Sequence, residues 1–222
     1  MSIGKIIQSN SHIAYIGQLY GAYEAETDVS PRMPIFGQFV RVALRSQEQF
    51  MGGRAPTTQH SAVGIIYGTH LLNPFLLREG PRLSSEKQTE VFSPDSISEK
   101  VRVIFILLLG TVEHTITAGR RGKIISVMQG VPFFSLESGN EIEMMDNEEV
   151  QAFHCFGDPT TTDTSDLRME YVSTLLTQHH RLMPMVTVQI IDELERLFPD
   201  QSSALVIIKR NITWRLMIES TR

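Results

Sequence analysis

Apolar residues in the first half of the chain come in short runs rich in Val, Ile, Phe and Tyr, at 3–7, 12–19, 36–44, 62–70 and 101–109. Glycine, proline and polar clusters separate them, which predicts strands. Within the third run Val40, Val42 and Leu44 alternate with Phe39, Arg41 and Ala43, so one face is uniformly apolar and the other mixed. That alternation predicts a half-buried strand. Gly4, Gly17, Gly37, Gly64 and Gly110 sit inside or beside these runs, where a strand takes a bulge or a close backbone approach. Short strands without intervening helices, punctuated in this way, suit a small closed barrel.

The period changes after Gly130. Asp146 followed by Glu149 has capping-box spacing ahead of Val150 and Phe153, which predicts a short helix from about Asn147. Asp166 is placed to cap a further helix running to about Arg181. Pro184 then opens a segment with Val186, Ile190, Leu194 and Leu197 at helical spacing, stopped by Pro199. Asp200 precedes a last helix carrying Leu205, Ile208 and Ile212. The expected fold class is α+β: a small closed antiparallel β-barrel over 1–135, an acidic connector with a short helix over 136–165, and a helical C-terminal region over 166–222. A long polar stretch at 73–100, with Pro74, Pro81 and Pro94, reads as a packed excursion inserted in the barrel.

With 222 residues, 41% hydrophobic and 20% charged, the chain can bury a substantial core. Its one cysteine excludes an internal disulfide. No apolar run approaches the roughly 20 residues of a spanning helix, and the first sixteen residues lack the unbroken apolar centre of a secretory signal. These features give the expectation of a cytoplasmic protein without a membrane partner. The net charge of -5 is unevenly spread. Ten acids stand against Arg168 alone between Glu137 and Glu170, so that segment is -9 and the remainder +4. A solvated connector with acids at helix N-termini accounts for the excess, and a basic partner surface is the sharper alternative.

Familiar chemistry is scarce. Gly119-Arg120-Arg121-Gly122-Lys123 is followed by Ile124 and lacks the spacing and hydroxyl of a phosphate loop. The lipase-type serine, zinc-peptidase and dinucleotide signatures do not occur, and no motif names a cofactor. Among the seven histidines none stands at zinc-ligand spacing, and His154 and the pair His179-His180 read as partly exposed helix residues. Cys155 reads as a small buried residue, with His154 beside it as the ingredient of a thiol-based alternative. Arg120, Arg121 and Lys123 form the densest basic cluster and are the candidate contacts for an anion or nucleic acid. Lys209, Arg210 and Arg215 offer a second patch. Met185, Val188, Ile191 and Phe198 lie off the main stripe of their segment and are the candidate interface residues.

Ile3-Gly4-Lys5-Ile6-Ile7, Phe36-Gly37-Gln38-Phe39-Val40-Arg41-Val42 and Val63-Gly64-Ile65-Ile66-Tyr67 resemble the HAS-barrel, the small barrel at the front of HerA-type DNA translocases and of the alpha and beta subunits of rotary ATP synthase. The likeness covers about the first half of the chain. Val91-Phe92-Ser93-Pro94-Asp95 and the helical end look like those of stand-alone HAS-barrel proteins. The resemblance implies a noncatalytic module that packs into oligomers or docks on a partner, itself or a separate ring ATPase, without ATP hydrolysis of its own. A nucleic-acid-binding barrel is the alternative, supported locally by the basic cluster.

Overall fold

A computed structural model describes residues 2–20, 34–44, 58–72, 101–117, 120–155, 167–178 and 180–219. The polar stretch at 73–100, the end of the acidic connector at 156–165, Asp166 and the side chains of Arg120 and Arg215 lie outside the described residues. The strands are β1 (Ser2–Ser9), β2 (Ala14–Leu19), β3 (Phe39–Ala43), β4 (Thr58–Leu72), β5 (Val101–Thr117), β6 (Arg120–Gln129) and β7 (Glu141–Met144). They form one sheet in the order β2-β1-β7-β3-β4-β5-β6, and β2 also pairs with β5. Every pairing is antiparallel. The β2–β5 ladder, from Ala14 opposite Leu107 to Gln18 opposite Val103, closes six strands into a barrel. Beyond Gly110, β5 leaves β2 and continues as a hairpin with β6.

Two strands depart from the sequence expectation. β6 begins within the basic cluster, and β7 lies inside the segment read as an acidic connector, so a boundary at 135 would cut through the barrel. β7 occupies the gap between β1 and β3, with Ile142 opposite both Gly4 and Val42 and fully buried. Removing it would leave two edges unpaired.

The helices are α1 (Asn147–His154), α2 (Tyr171–Thr177), α3 (Met183–Leu197) and α4 (Ser202–Glu219), with a 3-10 turn at Pro199–Gln201 before the last. α1 starts where the sequence places it, with the Asp146 and Glu149 capping box formed. α2 is shorter than expected and has no side-chain cap. These helices complete the barrel's core and do not make a separate bundle: one continuous apolar cluster runs from Ile6, Val40 and Ile106 to Phe153, Ile190 and Leu205. That covering explains why Phe39 and Arg41 are as buried as Val40 and Val42. β3 has both faces occupied, with the Phe39 ring 5.4 Å from that of His154 in α1.

Two glycines matter to this packing. A Cβ on Gly4 would overlap the backbone carbonyl of Gln18 across the β1–β2 ladder. Gly37, at φ +80, turns the chain into β3 and lies against the Gln189 side chain of α3. Overpacking of this kind costs about 1–3 kcal/mol, so Gly4→Ala is expected to lower the denaturant midpoint of unfolding by a corresponding amount. A midpoint equal to the parent's would mean that the two strands are not held this closely.

Candidate functional site

Arg41 of β3, Arg121 of β6, Glu143 of β7 and Glu149 of α1 converge where α1 meets the barrel strands. The Glu143 carboxylate accepts from Arg41 Nε at 3.0 Å and from Arg121 Nη2 at 2.9 and 3.2 Å. Glu149 pairs with Arg41, stands 3.9 Å from Arg121 Nη1, and accepts the Asp146 amide at 3.1 Å to close the capping box. All four side chains are largely withdrawn from water. Mutual pairing is what makes such burial tolerable. The cluster therefore fastens three strands to the first helix.

A cleft of about 620 Å³ opens beside it, lined by Lys123, Ile124, Glu148 and Ala152 as well as by the two arginines and His114. His114 is buried, and neither ring nitrogen has a hydrogen-bond partner among the described residues. Burial lowers its pKa, opposed by the Gly122 backbone and the Glu143 charge. It is neutral near neutral pH.

Of the basic residues singled out in sequence, Arg121 is thus spent on carboxylates, and Lys123 remains exposed without an acidic partner among the described residues. The sequence gives a faint sign of this cluster: Arg41 is a lone charge in an apolar strand, and a buried charge needs a counterion. In the second basic patch, Lys209 pairs with Asp192 and lies 3.6 Å from Glu195 of α3.

His154 is fully buried, contrary to the expected partial exposure. Its Nδ1–H donates to the Val150 carbonyl at 2.7 Å, and Nε2 accepts from the Tyr171 hydroxyl at 2.7 Å. Loss of hydration brings its pKa down to about 4 and pushes that of Tyr171 up. With both nitrogens engaged, His154 is not a base for Cys155, which is half-buried with its own pKa raised by burial. Gln129 strengthens this corner. Its amide donates to the Phe153 and Arg168 carbonyls at 3.0 Å each and accepts from the Glu170 amide at 2.8 Å.

The second region is the hairpin of α3 and α4. Among the interface candidates Ile191 is fully buried and is withdrawn: α3 is covered on more than one side, burying Thr187 and Ile191 along with Val186, Ile190 and Leu194. Val188 and Phe198 are half-buried against the core. Met185 stays open, at 58% exposure. α4 adds a further open face. Leu205 and Ile212 are buried, while Val206, Ile207 and Trp214 are exposed, Trp214 at 65%. Beside them runs a groove of about 420 Å³ lined by Val206, Lys209, Arg210, Thr213 and Trp214.

Among the described residues no group of three or more side chains is arranged to hold a metal ion, and no helix is long and apolar enough to cross a membrane. No curated protein matches the chain. Residues 1–221 match the model of a family described as a domain of unknown function, DUF8166, and the barrel with its covering helices, over nearly its whole length, therefore belongs to that family.

Proposed function

We propose that the chain is a noncatalytic barrel-and-helix module for assembly or docking, joined to itself or to a separate ring ATPase of the HerA type or another kind. The exposed apolar face of the helical hairpin carries this reading. Val206, Ile207 and Trp214 on α4 and Met185 near the start of α3 are all open to water. The Lys209–Asp192 pair sets α4 antiparallel to α3, which brings Met185 and Trp214 to the same end. Exposed apolar residues gathered on one helical hairpin fit an interaction surface, and a tryptophan is a common energetic anchor. The resemblance to the HAS-barrel adds support, since the residues that carry it fall on β1, β3 and β4.

The nucleic-acid alternative has less behind it, because Arg121 would first have to leave its carboxylates. A tagged chain recovered from its native host is expected to bring down a ring ATPase or further copies of itself. Ile207→Glu is expected to cut that recovery about tenfold, as for an interface hot spot. Recovery of a lone monomer, or equal recovery by the variant, overturns the proposal. Retention on DNA that weakens with salt would favour the alternative.

A further inference from the structure

We infer that the cleft between β6 and α1 binds a free α-amino acid with an apolar side chain, its carboxylate on the Lys123 side and its ammonium on the Glu148 side. This goes beyond the docking reading and is independent of it.

The two walls of the cleft carry opposite charge. β6 supplies Arg121 and Lys123, while the start of α1 supplies Asp146, Glu148 and Glu149. In their buried part the walls are tied together, since Arg121 bonds Glu143 at 2.9 Å and stands 3.9 Å from Glu149. Further out the ties stop. Lys123 and Glu148 are both exposed and line the same cleft, yet they pair neither with each other nor with another charged group among the described residues. The helix dipole accounts for an acid in the first turn of α1. It does not account for a lysine left unpaired on the other wall.

His114 of β5 is an independent sign of a ligand. It lines the cleft at 2% exposure, and neither ring nitrogen has a hydrogen-bond partner among the described residues. Leaving buried polar atoms unsatisfied is costly, and an occupant of the adjoining space removes the cost. A neutral imidazole offers one N–H to donate and one nitrogen to accept, so it can serve a carboxylate and an ammonium together. Arg121 Nε, also buried without a partner, is a further spare donor on the basic side.

These features select the ligand's chemistry. A simple anion such as phosphate gains from Lys123 but meets the acidic wall, a simple cation meets the reverse, and an uncharged molecule uses neither. A molecule with both charges a few bonds apart is complementary to both walls. Ile124 and Ala152 add apolar lining for a side chain, and the volume of about 620 Å³ lies in the range of small-ligand pockets. Because the two charged contacts are exposed, screening keeps the affinity modest, at about millimolar.

L-Leucine titrated into the full chain at neutral pH should saturably shift the His114 ring signals in a proton–nitrogen correlation spectrum, assigned by their absence from His114→Gln. N-Acetyl-L-leucine and L-leucinamide, each lacking one charge, should bind about tenfold more weakly. Glycine, without the apolar side chain, should also be weaker. Lys123→Ala and Glu148→Ala should each weaken L-leucine about tenfold with unchanged thermal unfolding. The absence of a saturable shift overturns the inference, as does binding that ignores both variants. Equal binding of the acetylated or amidated form, of glycine or of inorganic phosphate also overturns it. None of these outcomes touches the docking reading, which is tested on α3 and α4.

Discussion

Glu143→Ala is expected to lower the unfolding free energy by about 3–5 kcal/mol, the cost of breaking a buried ion pair by removing one partner. Glu143 is the carboxylate on which Arg41 and Arg121 both converge. Arg41 sits in β3 with its side chain 9% exposed, so without Glu143 it keeps only Glu149. The loss should exceed that for removing an exposed pair such as Arg196 with Glu193, which water and salt screen. Urea unfolding of Glu143→Ala, Arg41→Met and the double variant forms the decisive cycle. The double variant should recover part of the loss, because replacing both members of a buried pair with apolar groups is far milder than orphaning one. Additive losses across the cycle would mean that the two residues are not coupled.

A second large effect comes with acid. His154 is neutral in the folded chain with its pKa brought down to about 4 by burial, whereas an unfolded histidine titrates near 6.5. Between those values the unfolded chain binds more protons, so stability rises with pH. The contribution is complete above about pH 6.5, fades as the pH falls toward 4, and amounts to about 3 kcal/mol. His114, also lowered by burial, acts in the same direction. Unfolding followed by urea at a series of pH values should show the parent losing stability across this window. His154→Gln should be less stable at pH 7 and flatter below it. An equally steep profile in the variant would assign the acid sensitivity to other groups.

The barrel class was legible because five of its strands announce themselves as apolar runs, and their burial follows the pattern expected of a core. β7 was not legible, because Glu-Ile-Glu-Met is only four residues long and stands among acids. Only Ile142 is a full core residue there. The same acids mislead about solvation: Glu143 and Glu149 count toward a segment of charge -9, yet both serve buried arginines. The partner of Glu143 lies 102 positions away, a separation that local patterning does not register. Ile191 was misplaced for a related reason. A helical stripe gives one buried face, and nothing in its spacing says that neighbouring elements will cover a second. Trp214 has a size that usually favours burial, yet the structure leaves it in water.

The position of β7 also fixes the order in which a chain emerging from a ribosome can fold. Its ladders join residues 141–144 to β1 and to β3, so the earliest strand made must wait for nearly two thirds of the sequence before its second neighbour exists. Pairings so distant in sequence form slowly. During that interval β1 and β3 each present a bare edge beside apolar side chains, the state most exposed to intermolecular strand pairing. Synthesis paused just before Ile142 would prolong that hazard, and synthesis resumed past Met144 would end it.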